Sequence, residues 1–366
     1  MPERSNPAAA ARPPRVLIVG GGTGGHAIPG LCVASSLRSM GAQAHFVGSR
    51  SGIEAALVPK AGFPLHTLNL TAFAGNPLAR ARAATLFLRA IRICRRIIQR
   101  VQPGAVLGVG GYASAPAVVA ARTLGVPTLL HEQNSVPGRV NRAAGRLVRE
   151  TLVTFPRAAE YLGGAETVGM PTRPEFFGAS RAEALAGLGL EPPVVLVFGG
   201  SGGALKLNLA AVEAFGGTTP YTVVQVAGRR DFGRLLTGNP RHVILEYVDD
   251  IWRYLAAADV VVSRAGAGSL FDIAAVGRAA VLIPFPFATG DHQLHNARYF
   301  TEREAGELMM DAEVTAGSLR RRVEALLGDD ERRGALARGM VALATPGAAD
   351  SVARRLLRTA GEEARR

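Results

Sequence analysis

His26 ends a run of small residues, Gly20-Gly21-Gly22-Thr23-Gly24-Gly25, that follows the apolar stretch Arg15-Val16-Leu17-Ile18-Val19. A helix is predicted over residues 29–40. A strand that turns through glycines into a helix offers backbone N–H groups to an anion. The positive end of that helix disfavours imidazole protonation, which suits a neutral base. A lone histidine can equally be structural or merely exposed, and both readings stand on these residues alone. The arrangement recurs half a chain later, where Val194–Phe198 enters Gly199-Gly200-Ser201-Gly202-Gly203 and a second helical stretch. Two nucleotide-fold halves facing each other across a cleft are expected.

Further clusters leave the ends of predicted strands. Gly108-Val109-Gly110-Gly111-Tyr112-Ala113-Ser114 follows one at 105–108, and His131-Glu132-Gln133-Asn134 follows another at 128–130. The tetrad reads either as a cap of the next helix or as a substrate rim. Ser263-Arg264-Ala265-Gly266-Ala267-Gly268-Ser269 is a third strand-to-helix turn, with Asp272 about one turn into the helix. Asp291-His292-Gln293-Leu294-His295-Asn296 has spacing that permits a metal, but Gln293 and Asn296 suit sugar hydroxyls better. The chain also lacks the Asp-x-Asp pair that often holds a divalent ion on a nucleotide-sugar diphosphate, so no metal is expected. Gly20, Gly22 and Gly25 match a dinucleotide fingerprint by spacing, yet the second strand ends Phe46-Val47-Gly48-Ser49-Arg50 without an acid for ribose. No Gly-Lys-Ser/Thr loop is present. Neither a nicotinamide cofactor nor ATP hydrolysis is expected, and no cofactor is assigned.

The elements that must position these residues alternate strand and helix, which signals an α/β fold with parallel sheets. Strands are predicted at 16–19, 44–47, 65–68, 105–108, 128–130 and 151–153, then at 194–198, 222–226, 243–245, 259–262 and 280–283. The chain has 366 residues, for which two domains are the natural expectation. Gly169-Met170-Pro171-Thr172-Arg173-Pro174 breaks the rhythm and marks the junction. The expected division is a loose tail 1–14, a first domain 15–170, a second 171–345, and a final helix 346–366 that could pack back on the first. Cys32 and Cys94 make no disulfide framework and read as helical fillers in a reducing cytoplasm. The uncharged stretch 104–121 contains four glycines and Pro116, so it reads as strand, turn and helix rather than a membrane span. The net charge of +13 favours an anionic partner without choosing among phosphorylated small molecules, lipid and nucleic acid.

In order and spacing, Gly21-Gly22-Thr23-Gly24-Gly25-His26, Gly110-Gly111-Tyr112, His131-Glu132-Gln133-Asn134, Gly199-Gly200-Ser201-Gly202-Gly203-Ala204 and Asp291-His292-Gln293 resemble the MurG glycosyltransferases of peptidoglycan synthesis. The resemblance spans about residues 16–343. It implies a GT-B fold, two Rossmann-like domains with the site in the cleft between them. It also implies metal-independent, inverting transfer of N-acetylglucosamine from UDP-N-acetylglucosamine to the C4 hydroxyl of lipid I, forming lipid II. Carried over by motif, Thr23, Gly24, Gly25, Tyr112 and Asn134 contact donor sugar or acceptor, and Arg173 faces the diphosphate. Ser201 holds phosphate, Val248 contacts uracil, Ala267, Gly268, Ser269, Leu270 and Asp272 line the uridine, and Gln293 bonds sugar hydroxyls. Asp272 stands where the family has glutamate, Ala115 replaces a glycine, and Thr71-Ala72-Phe73-Ala74-Gly75-Asn76-Pro77 departs from the family's acceptor-side pattern.

Single displacement needs a base opposite the leaving group. His26 is the first choice and Glu132 the alternative. Residues 78–101 carry seven arginines, with Phe87, Ile91, Cys94, Ile98 and Val101 on one helical face. They read as an ordinary surface helix or, given a membrane-bound acceptor, as a patch on anionic lipid at the cytoplasmic face of the inner membrane. Alternatives are a related transferase with another acceptor such as diacylglycerol, a UDP-N-acetylglucosamine 2-epimerase, and a basic nucleic-acid-binding module. The glycine loops count against the last, and no nucleic acid is expected as a partner.

Overall fold

Short apolar runs bounded by glycine become strands buried on both faces, as parallel sheets covered by helices require. A computed structural model describes residues 13–69, 77–200 and 203–364. The first sheet comprises β1 (Arg15–Gly20), β2 (Gln43–Ser49), β3 (Leu65–Leu68), β4 (Ala105–Gly110), β5 (Thr128–Glu132), β6 (Glu150–Val153) and β7 (Glu166–Thr167). The second comprises β8 (Val194–Phe198), β9 (Thr222–Val226), β10 (His242–Leu245), β11 (Val260–Arg264), β12 (Ala279–Ile283) and β13 (Glu307–Leu308). Their orders are β3-β2-β1-β4-β5-β6-β7 and β10-β9-β8-β11-β12-β13. Each winds in both directions from its first strand, so each has a switch point, between β1 and β4 and between β8 and β11. In such sheets ligands bind at the carboxyl ends beside that point. In register, Val19 of β1 lies beside Gly108 of β4, and Val262 of β11 beside Val197 of β8.

Several boundaries differ from the sequence expectations. The first helix begins at Gly24, with Thr23 as its N-cap, rather than at Pro29. Two glycines and an internal proline are poor helix formers, but the helix buries Ala27, Val33, Ala34 and Leu37, and that packing prevails. His131 and Glu132 end β5 instead of following it. Asp259 precedes β11; its carboxylate pairs with Arg181 at 2.7 Å and accepts the Val194 N–H at 2.8 Å. β7 and β13 were not expected, being two-residue edge strands with no apolar run.

The last helix, Ala348–Ala364, crosses back to the first sheet. Val352, Ala353, Leu356 and Ala360 are buried in the same cluster as Val16, Ile18 and Leu107. Arg355 pairs with Glu150 and Glu166 of the first sheet, and Arg149 with Glu362 at 2.6 Å. In the helix Pro77–Val101, Ala83, Ala90, Cys94, Ile98 and Val101 are buried, while Phe87 and Ile91, expected on that face, are half-buried. Cys32 and Cys94 are both buried and free, and burial pushes both thiols up to about 12, as fits fillers rather than nucleophiles. Among the described residues, no helix is long and apolar enough to cross a membrane.

Candidate functional site

The first glycine loop is pressed against the loop Gly108–Ser114. A Cβ on Gly20 would lie 2.3 Å from the Gly110 carbonyl oxygen, and one on Gly111 would lie 2.1 Å from that of Gly21. Both glycines have positive φ, +138° and +80°, so only glycine fits. Gly21 N–H donates to the Gly110 carbonyl at 3.1 Å. Gly22 N–H donates to Glu54 Oε2 at 2.7 Å, and Glu54 Oε1 accepts the Ser49 N–H at 2.7 Å. The loop was expected to cradle phosphate on its free amides. Instead a buried carboxylate of the same chain holds it, because an acid does lie near the end of β2, five residues beyond Ser49. Among the described residues, Gly24 and Gly25, in the first helical turn, have no protein acceptor on their N–H groups.

His26, on that same turn, is half-buried, and its Nδ1 lies 2.8 Å from Gln133 Oε1. Gln133 Nε2 donates to the His131 carbonyl at 2.9 Å and reaches His131 Nδ1 at 3.1 Å. His131 is buried, and burial lowers its pKa to about 4. Glu132, the alternative base, is also buried. Its Oε1 accepts from Asn134 N at 2.8 Å and Asn134 Nδ2 at 3.3 Å, and its Oε2 from Asn141 Nδ2 at 2.8 Å. Those bonds commit Glu132 to holding the loop after β5, which leaves His26 as the base candidate. Thr23 is exposed, and Tyr112 on the neighbouring loop is 57% exposed.

On the second sheet, Ala267, Gly268 and Ser269 form the first turn of the helix Ala267–Val276, capped by Gly266. Leu270 corrects an expectation: its side chain is wholly buried in the core and its N–H donates to the Gly266 carbonyl at 3.0 Å, so neither can line a uridine. Asp272 lies farther along this helix. Burial raises its pKa to about 7, with the Arg173 guanidinium opposing. This helix packs against the His26 helix of the first lobe, where the charges of Asp272 and Arg173 act on the Cys32 thiol. Arg173 stacks over Phe176 at 4.7 Å, and its buried Nε has no partner among the described residues. Val248 is half-buried between β10 and the helix Ile251–Ala257. Gln293 Oε1 accepts the Phe285 N–H at 3.0 Å, which leaves its amide nitrogen as the end available to a ligand. Ser201 and the segment 70–76 lie outside the described residues. His292 Nδ1 donates to the Thr289 carbonyl at 2.9 Å, and among the described residues no three acidic, His or Cys side chains are grouped to hold a metal.

Asn296, expected to suit sugar hydroxyls, is instead wholly buried and joins the lobes. Asn296 Oδ1 accepts from Ser135 N at 2.9 Å and Ser135 Oγ at 2.7 Å, and Asn296 Nδ2 donates to Asn134 Oδ1 at 3.3 Å. Phe155, from the first lobe, packs edge-on against Phe271 and Tyr299 of the second. Arg264, buried at the end of β11, pairs with Asp311 at 2.7 Å. Gln133 and Asn296 stand inside the motifs, but the motifs did not assign either of them these partners. Nothing local to the sequence pairs Arg264 with Asp311.

Comparison with known proteins agrees with this geometry. Residues 16–153 match the glycosyltransferase family 28 N-terminal domain and residues 194–352 its C-terminal domain. A Rubrobacter xylanophilus protein named UDP-N-acetylglucosamine--N-acetylmuramyl-(pentapeptide) pyrophosphoryl-undecaprenol N-acetylglucosamine transferase is 64% identical over 334 residues, covering 90% of this chain and 99% of the relative. A Bacillus thuringiensis protein named as transferase 2 of that activity is 36% identical, covering 86% and 91%. The crystal structure of Acinetobacter baumannii MurG superposes with a TM-score of 0.76 at 27% identity, covering 94% of this chain and all of that one. A structure titled putative UDP-N-acetylglucosamine 2-epimerase from Listeria monocytogenes, at 14% identity and a TM-score of 0.66, shares the fold alone. Two parallel-sheet lobes, a histidine on the first helical turn of one and an open helix start on the other are thus the GT-B arrangement, and the chain belongs to glycosyltransferase family 28 and, within it, to the MurG family.

Proposed function

We propose that this chain transfers N-acetylglucosamine from UDP-N-acetylglucosamine to the C4 hydroxyl of the muramoyl sugar of lipid I, with inversion at the anomeric carbon, forming lipid II. One relationship carries the reading: the helix Gly24–Ser39, with His26 on its first turn, packs against the helix Ala267–Val276 of the other lobe. The helix that carries the base on one lobe thereby meets the helix whose start suits the nucleotide on the other. In this reading residues 15–170 take the acceptor and residues 171–345 the donor.

His26 takes the hydroxyl proton as the glycosidic bond forms and the bond to the β-phosphate breaks. Negative charge grows on the leaving UDP. The starts of the helices Leu205–Phe215 and Ala267–Val276 meet it with fixed partial positive charge, and Arg173 with its guanidinium. No metal or organic cofactor takes part. Ser201 belongs to the phosphate side, Val248 to the uracil, Asp272 to the ribose hydroxyls and Gln293 to the sugar. Thr23, Gly24, Gly25, Tyr112 and Asn134 belong to the sugar and acceptor side. Closure of the lobes excludes water and so suppresses donor hydrolysis.

The enzyme sits peripherally on the cytoplasmic face of the inner membrane. The helix Pro77–Val101 supports this, with Leu88 59% exposed beside the exposed Arg89 and Arg92.

Incubation with lipid I and UDP-N-acetylglucosamine in EDTA tests the function. β-Linked lipid II is the expected product. Isomerised donor, transfer only to another lipid, or dependence on added magnesium contradicts it.

A further inference from the structure

We propose that Gln133 and His131 are positioning residues that hold His26 in the Nδ1–H tautomer and tether it to the crossing between the lobes; this rests on His26 being the base. A carbonyl oxygen only accepts hydrogen bonds, and two carbonyls therefore fix every proton in the chain of contacts. The atom of Gln133 that lies 2.9 Å from the His131 carbonyl must be the amide nitrogen. The atom facing His26 is then Oε1, an acceptor, so at 2.8 Å His26 Nδ1 carries a proton. In the neutral ring the lone pair is left on Nε2.

The far end closes in the same way. His131 Nε2 lies 3.0 Å from the Gly169 carbonyl, so that nitrogen carries the proton of its ring. His131 Nδ1 is then free to accept from Gln133 Nε2 at 3.1 Å. Burial keeps this imidazole neutral at physiological pH, as accepting requires. Turning the Gln133 amide over would set oxygen against the His131 carbonyl oxygen, so the assignment has one solution.

The tether ends where the two connecting segments meet. Gly169 has φ +85°, and a Cβ there would lie 2.4 Å from Thr345 Cβ. Met170 N–H donates to Thr345 Oγ1 at 3.0 Å, and that hydroxyl lies 3.2 Å from the Met170 carbonyl. In the transfer step the O–H bond of the acceptor breaks and its proton passes to His26 Nε2. The oxygen bonds the anomeric carbon, and the electron pair of the broken bond leaves on the β-phosphate. Gln133 Oε1 goes on accepting from Nδ1–H as the ring becomes cationic.

Nitrogen-15 spectra of the seven histidines in the full-length enzyme, with His26 assigned by substitution, test the relay. His26 is expected with hydrogen on Nδ1 and a bare Nε2. In Gln133→Leu, Nε2–H becomes the major form, kcat falls at least tenfold and the donor KM stays within about twofold. Gln133→Met, closer in shape to glutamine, covers the case in which the leucine variant does not fold. It also offers Nδ1–H no amide acceptor, so the same shift to Nε2–H and the same fall in kcat are expected, and retained Nδ1–H with kcat within twofold overturns the proposal. Nε2–H in the wild type, or unchanged Nδ1–H with kcat within twofold in folded Gln133→Leu, overturns the proposal. The turnover of His26→Ala reads the base assignment separately, whatever the spectra report.

Discussion

Glu54 accepts the Gly22 N–H at 2.7 Å, so the first glycine loop is closed by an acid of its own lobe. In the proposed reading the nucleotide-binding role that the paired loops suggested falls to the second lobe. The Glu54 side chain also fills the space beside three glycines: a Cβ on Gly21, Gly48 or Gly52 would lie 2.2–2.5 Å from its nearest atom. Hydrogen bonds from backbone N–H groups to a charged acceptor are among the stronger ones, contributing about 1.5–3 kcal/mol each. Glu54→Ala is therefore expected to lower stability in urea by about 2–4 kcal/mol while UDP affinity changes little. Unchanged stability together with lost UDP binding would show that the acid belongs to the donor site.

Asp272 gives a pH signature. Its folded-state pKa is raised from 3.8 to about 7, chiefly by burial. The folded state thus holds a proton that the unfolded state releases. The stabilisation is full below about pH 4 and is lost as pH rises toward and through 7. Asp272→Asn cannot lose that proton. The Tm of the wild type relative to Asp272→Asn should fall steadily between pH 4 and 7.5 in the unliganded enzyme, and parallel Tm profiles would contradict the assignment.

In the proposed mechanism the junction arginine bears on the donor. Arg173→Ala should raise the UDP-N-acetylglucosamine KM and lower kcat, by about tenfold or more in kcat/KM, as expected for loss of a charge that meets the diphosphate. Normal donor affinity by calorimetry would place the arginine elsewhere.

Much of this was legible in the residues, for identifiable reasons. Doubly buried strands such as Val194–Phe198 appear as unbroken apolar runs, so the two-lobed α/β plan could be read directly. The start of the first helix could not, because Gly24, Gly25 and Pro29 oppose it locally and only packing imposes it. Leu270 looked like a site residue because it follows Ser269 in the motif. Helical geometry turns it into the core, and a linear motif does not record facing. Glu54 was overlooked because an acid was sought at the end of β2 itself. Gln133 was visible as a type, but its two-sided contact needs coordinates.

The Asn296 latch predicts a stability effect between lobes. Asn296→Ala strands the buried Ser135 N–H and hydroxyl, and should cost about 1–3 kcal/mol. Ser135→Ala, which keeps the backbone bond, should cost less. Equal effects in thermal melts would mean that the latch is not the source.

Membrane association should be electrostatic at the helix Pro77–Val101. Each basic residue near an anionic surface contributes about 1 kcal/mol, so Arg89→Glu with Arg92→Glu should weaken binding to phosphatidylserine-containing vesicles by at least about tenfold. High salt should release the wild type. Salt-insensitive flotation, or full binding by the double variant, would argue against this face.

The most direct test is a single-turnover measurement on His26→Ala with saturating lipid I. A base on the first lobe predicts a transfer rate at least about a hundredfold below wild type, with the donor Kd within about twofold. Transfer at the wild-type rate would contradict the account.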